Sequence, residues 1–199
     1  MSGGSADSGR AGQDSTRSLR EALLSPAAAE AIDAHGQTDA AVLVPLFGFP
    51  CRPGLVFTER RHDLRRHAGE ISFPGGRRDH PEEELRTTAL REAEEEIGLA
   101  PEAVEVVGAL PPIGTFVTGY RVYPFVGLIG DRLDFEPNPA EVETVLAFGV
   151  EALRESFAMR RLVRRGIPFR TPTYIVDGHL IWGATARILA DLLQRLTRL

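Results

Sequence analysis

The chain has 199 residues, room for one domain of generous size with its own core, and a formal net charge of −5 that excludes a general nucleic-acid binder, which needs a basic footprint. All of its basic side chains apart from histidine are arginine, so Schiff-base and lysine-base mechanisms are excluded. Cys51 is the single cysteine; an intrachain disulfide is impossible, a cytoplasmic location is expected, and the thiol, set in a Phe-Pro-Cys-Arg-Pro-Gly turn, is read as structural.

Residues 1–17 are mostly Ser, Gly, Asp and Arg with little to bury, and are expected to form a disordered tail ahead of a single domain over 18–199. They lack the apolar stretch of a signal peptide, and no run of about 18 apolar residues occurs anywhere, so no membrane partner is expected. Leu19, Leu23, Leu24, Ala28 and Ile32 predict a short helix over 18–34. Residues 41–47 and 55–58 read as strands joined by the proline-rich turn at 50–54, and 69–73 as a short strand leading into a turn at Gly75 and Gly76.

A helix follows, with Asp79 or His80 predicted as N-cap, Pro81 in its first turn, Gly98 at its left-handed end and Pro101 barring continuation. Strands are predicted at 104–109, 120–129 and 142–150, then a helix over 151–160. A hairpin over 173–182 turns at Asp177-Gly178, and a final amphipathic helix carries Ile188, Leu189, Leu192, Leu193 and Leu196. Strands flanked by early and late helices give a mixed α/β sandwich.

The chemistry concentrates in Arg91-Glu92-Ala93-Glu94-Glu95-Glu96-Ile97-Gly98-Leu99. At 100° per residue, Glu92, Glu95 and Glu96 share one arc of about 100°, beside an apolar row of Leu85, Ala89, Ala93 and Ile97. Like charges so placed repel, and a hard divalent cation, Mg²⁺ or Mn²⁺, is the natural occupant of an all-oxygen cluster. Glu96 lies nearest the apolar row and is expected to be the least solvated of the three. Glu83, about 180° from Glu92 on the wheel, is read as an ion-pair or helix-terminus charge.

These residues resemble the Nudix box. Arg91, Glu92, Ala93, Glu95, Glu96, Gly98 and Leu99 match its second half and Glu83 its leading glutamate, while Arg77 stands where the pattern has glycine and Gly76 lies one residue earlier. Upstream, the run from Leu64 to Gly76, followed by Arg77-Arg78-Asp79, is similar to the extra motif of the coenzyme A pyrophosphatase subfamily. Leu110-Pro111-Pro112, the 119–127 segment, Ala140-Glu141-Val142 and the 181–186 segment extend the similarity to residues 40–195.

The resemblance implies a Nudix-type mixed-sheet α/β/α sandwich and a metal-dependent diphosphatase that hydrolyses coenzyme A or its thioesters to 3′,5′-ADP and (acyl-)4′-phosphopantetheine. Glu92, Glu95 and Glu96 are the metal-ligand candidates. Arg91, Glu95 and Glu141 are the catalytic ones: Arg91 holding a carboxylate in place, Glu95 orienting the attacking water, and Glu141 completing the site or acting as base, unless it is a solvated loop residue. Arg65 and His67, within a basic cluster with Arg60, Arg61 and Arg66, are candidates for substrate phosphate, with Gly75 and Gly76 shaping the loop; His67 reads equally well as structural. The alternatives are a hydrolase of another nucleoside diphosphate derivative (ADP-ribose, NADH) or a nucleoside triphosphate, and a non-hydrolytic nucleotide-sensing module. The partner expected is a small nucleotide, the chain being a monomer or homodimer.

Overall fold

The computed structural model describes residues 5–63, 69–115, 119–131, 134–164 and 166–199. Its principal sheet runs β3 (Ile71–Ser72), β2 (Gly54–Arg60), β1 (Thr38–Phe47), β7 (Tyr120–Ile129), β5 (Val104–Ala109). Three further strands are attached: β4 (Gly75–Arg77) to β1, β6 (Ile113–Gly114) to β7, and β8 (Val142–Gly149) to β2. β1 and β7 are parallel and every other pair is antiparallel, which makes the sheet mixed.

Because side chains alternate across a strand, β1 feeds two cores at once. Ala41 and Leu43 pack with Leu85, Ala89, Ala93 and Ile97 of helix α3 (Leu85–Ile97) on one face. Val44 and Leu46 pack on the other face with Leu19 of α1 (Ser5–Ala22) and with Ile188, Leu189 and Leu192 of α5 (Gly183–Leu196). Helix, sheet and helix stack as three layers, the α/β/α arrangement expected.

Four local expectations fail for identifiable reasons. The predicted 18–34 helix is two: α1 ends at Ala22 and α2 spans Pro26–Glu30, with the Ser25 hydroxyl accepting from the Ala28 N–H and Pro26 in the first turn. Between them the Leu24 N–H donates to the Ala109 carbonyl, tying the break to β5. The tail expected to lack structure up to residue 17 is helical from Ser5. Burial of Leu19 and Leu23 fixes the end of α1, and propagation then adds one hydrogen bond per residue back along the chain. The 151–160 helix stops at Glu155: α4 spans Val150–Glu155, and Phe157–Arg164 is strand β9. It pairs with β10 (Ile167–Val176), which pairs with β11 (His179–Ile181) in a second, three-stranded sheet. Pairing with β10 along the whole of Phe157–Arg164 is what makes this segment a strand. Finally, α3 begins at Leu85 with Glu84 as its cap residue, not at Asp79 or His80. The hairpin turn at Asp177-Gly178 is as expected, both residues at positive φ.

Candidate functional site

Helix α3 carries its carboxylates on the edge of a packed face. Leu85, Ala89, Ala93 and Ile97 repeat every four residues and are buried against β1 and β7, which fixes the rotation of the helix. Gly98 ends it at φ 68°, its N–H donating to the Glu94 carbonyl. With that rotation set, side-chain exposure is 6% for Glu96, 18% for Glu92 and 56% for Glu95. Glu96 is the least solvated of the three, as its place beside the apolar row dictates.

Strand β4 lies across this face. Its pairing with β1 puts Gly76 opposite Ala41 and Gly75 opposite Val42. The Gly75 N–H donates to Glu96 Oε2 at 3.2 Å. Gly75 sits at φ 156°, and a Cβ there would strike the β1 backbone; a Cβ on Gly76 would overlap the Glu92 carboxylate. Gly75 admits no side chain, and a side chain at Gly76 would displace the Glu92 carboxylate from its place.

Arg91 organises the acidic face. Its Nε donates to Glu83 at 3.0 Å, its Nη1 to Glu92 at 2.9 Å and to Glu95 at 3.3 Å, and its Nη2 to the Arg77 carbonyl at 3.2 Å, with Asp79 at 3.5 Å. Burial works to raise Glu83, but the Arg91 guanidinium and the Asp79 N–H outweigh it and hold that carboxyl below its ordinary range. Burial likewise works to lower Arg91, and its carboxylate partners raise it instead. Glu92 is raised by burial, only partly opposed by Arg91, and Glu95 and Asp79 repel it further.

Glu96 is the most perturbed group. Burial pushes it up to about 7, against the Gly75 N–H and Arg60, and with repulsion from Glu92 and Glu141. Arg60 Nη1 stands 3.7 Å from Glu96, and its Nη2 4.0 Å from Glu141. The β2–β8 pairing explains the meeting: Val142 is opposite Arg60, so the residue before it arrives beside the same guanidinium. A structural irregularity at Glu59/Arg60 turns the end of β2 here.

Glu92, Glu95, Glu96, Arg91, Gly75, Gly76 and Glu141 are thus gathered at one end of the sheet. Arg65 and His67 lie outside the described residues. Arg60, counted in the sequence only as one of a basic cluster, is the residue whose charge lies between two carboxylates.

The donor set suits a hard divalent cation: all oxygen, with one carboxylate buried and incompletely compensated, and a side-chain-free strand against another. The side chains as they stand do not enclose an ion. Among the described residues no three His, Cys, Asp or Glu groups are placed to hold a metal, Glu95 being turned to Arg91 and Arg60 standing beside Glu96. The fit is one of chemistry, with Glu92 and Glu96 as the side chains best presented.

A model of the NUDIX domain matches residues 37–166, which contain this entire site. The chain belongs to the Nudix family. It is a hydrolase of that family. It is 42% identical over 161 residues to the uncharacterized Nudix hydrolase NudL of Klebsiella pneumoniae (strain 342), covering 80% of this chain and 83% of that one. To NudL of Pectobacterium atrosepticum it is 40% identical over 163 residues, covering 79% and 82%. Among solved structures, a Nudix hydrolase from M. smegmatis, RenU, superimposes with a TM-score of 0.51 at 17% identity, over 84% of this chain and 86% of that one. The MutT protein of Methanosarcina mazei Go1 does so at 0.51 and 16% identity, over 81% and 93%. These two likenesses establish the shared fold. No described helix is long and apolar enough to cross a membrane.

Proposed function

We propose that this Nudix hydrolase is a Mg²⁺- or Mn²⁺-dependent, cytoplasmic diphosphatase of coenzyme A or its thioesters, releasing 3′,5′-ADP and (acyl-)4′-phosphopantetheine. The observation that carries the substrate class is in the chain itself: the run from Leu64 to Gly76 has the sequence of the subfamily motif, and its last two residues, Gly75 and Gly76, lie in β4 on the carboxylates of α3. The described end of that motif is therefore the strand that touches Glu92 and Glu96.

Glu92 and Glu96, one helical turn apart, would hold the cation, with Glu95 sharing a second ion or orienting the attacking water. Such a cation neutralises diphosphate oxygens and makes water a better nucleophile. Arg91 keeps Glu92 and Glu95 in place while Glu83 and the Arg77 carbonyl fix the guanidinium. The Gly75 N–H orients Glu96. Glu141, on the far side of Arg60, completes the site or takes the proton of the water that attacks phosphorus, as the bridging P–O bond breaks. Arg65 and His67 belong to the motif and would bind substrate phosphate, the 3′-phosphate being the group that distinguishes coenzyme A from other ADP derivatives.

A substrate panel tests this. Coenzyme A, acetyl-coenzyme A, 3′-dephospho-coenzyme A, ADP-ribose and NADH are incubated with Mg²⁺ or Mn²⁺ and the products separated. Coenzyme A and its thioester should give 3′,5′-ADP, with the 3′-dephospho form a poorer substrate. Absence of 3′,5′-ADP from folded protein at every metal concentration would overturn the substrate assignment and leave the family chemistry standing.

A further inference from the structure

Residues 134–141 form a strap between the end of α3 and the start of β8. Phe135 packs into the core beneath α3. The Glu136 N–H donates to the Ile97 carbonyl at 3.0 Å and the Asn138 N–H to the Glu96 carbonyl at 2.9 Å, filling acceptors that a helix C-terminus leaves open. Asn138 then turns the chain. Its carbonyl accepts from the N–H of Glu141 at 3.1 Å and of Val142 at 2.9 Å, and its side-chain Oδ1 accepts from the Ala140 N–H at 3.0 Å. Arg61 closes the other side, its N–H donating to the Glu141 carbonyl at 3.1 Å and its Nη1 to the Pro139 carbonyl at 2.5 Å. A single residue is thus bonded at one end to the residue bearing the buried carboxylate and at the other to the residue bearing the loop carboxylate.

We propose that Asn138 is a positioning residue that sets the distance between Glu96 and Glu141. The inference rests on the reading above that these two carboxylates serve one metal site. The side chain is specific to the task. An amide oxygen one carbon beyond Cβ reaches the N–H two residues on; aspartate retains that acceptor, serine offers a weaker one, and alanine has none. Without it the main-chain bonds of Asn138 still cap α3 and still hold the N–H groups of Glu141 and Val142, but the Ala140 N–H loses its acceptor and the turn that presents the Glu141 carboxylate is held less firmly. Displacement of a reacting group by about 1 Å costs roughly 10²-fold in rate, and a partial loosening correspondingly less.

The test compares Asn138→Ala, Asn138→Ser, Asn138→Asp and Asn138→Ala in a Glu141→Gln background. Three quantities are read: Mn²⁺ affinity by electron paramagnetic resonance of the free ion, melting temperature in EDTA, and kcat and KM on whichever nucleotide the wild type turns over. Asn138→Ala should weaken Mn²⁺ binding several-fold and lower kcat by about tenfold with KM within about twofold. Asn138→Asp should restore both, and Asn138→Ser should fall between. In the Glu141→Gln background Asn138→Ala should have no further effect, since it acts through that carboxylate. Full additivity with Glu141→Gln, or a fall in melting temperature with Mn²⁺ affinity intact, would overturn the proposal in favour of a residue that merely folds the loop. Should Asn138→Ala not fold, the ordering of the Ser and Asp variants decides in the same way. If the Mn²⁺ pattern holds while coenzyme A is not a substrate, the substrate assignment fails and the positioning role stands.

Discussion

Replacing Glu96 by glutamine should stabilise the metal-free protein, and only above a definable pH. The Glu96 carboxyl has an ordinary value of 4.5 and is pushed up to about 7 by burial. Between those two values the folded protein holds a proton that the unfolded chain has released, so the stability of the wild type falls as pH rises from 4.5 through 7. At a tenfold change in equilibrium per pH unit, the cost levels off at about 3 kcal/mol above pH 7. Glutamine keeps the shape and an oxygen for the Gly75 N–H, and carries no charge to bury. For a chain of this size, about 3 kcal/mol corresponds to roughly 6–12 °C in melting temperature. The assay is thermal unfolding in EDTA at pH 5 and pH 8. The two proteins should melt together at pH 5, and Glu96→Gln should melt higher at pH 8. Added Mn²⁺ should close the gap at a hundredfold excess over its Kd, where a ligand that binds only the folded wild type adds about 3 kcal/mol, and reverse the order at a thousandfold excess, where it adds about 4 kcal/mol. A mutant that melts at or below the wild type at pH 8 in EDTA would refute the reasoning that Glu96 is a buried carboxylate awaiting a cation.

Gly76→Ala places a Cβ on the Glu92 carboxylate and should cut turnover by about 10²-fold while Mn²⁺ affinity, read by calorimetry, falls in parallel; full affinity would show that Glu92 is not a ligand. Arg91→Ala strips the shared partner from Glu83 and Glu92, both largely buried, and should lower unfolding free energy in denaturant by about 2 kcal/mol, which Arg91→Lys recovers only in part. Glu83 is held below its ordinary 4.5, so its contribution is present above pH 4.5 and is lost as pH falls through its folded value. Glu83→Gln should therefore destabilise at pH 7 and converge with the wild type in acid, as denaturant titrations at the two pH values would show.

The sequence made the acidic helix legible because its periodicity encodes orientation. Once Leu85, Ala89, Ala93 and Ile97 are read as the buried row, the relative exposure of Glu92, Glu95 and Glu96 follows. Gly98 and the Asp177-Gly178 turn were readable because positive φ selects their residue types. What pairing alone decides was hidden. Arg60 meets Glu141 because β8 lies antiparallel to β2 with Val142 opposite Arg60, a register no local pattern records, and it meets Glu96 through the packing of α3 on the sheet. The role of Asn138 was invisible for the same reason, since its main-chain partner lies on α3. The strand at Phe157–Arg164 was hidden because a helix at Val150–Glu155 runs into it and its pairing with β10 is not written in the local sequence.

The most direct measurement is a time course of coenzyme A with Mg²⁺ or Mn²⁺, wild type and Glu96→Gln side by side, with nucleotide and pantetheine products quantified. The wild type should release 3′,5′-ADP and 4′-phosphopantetheine in equal amounts, none in EDTA, and Glu96→Gln should be slower by about 10³-fold or more. Wild-type rates from Glu96→Gln, or products cleaved anywhere other than the diphosphate bridge, would contradict the account.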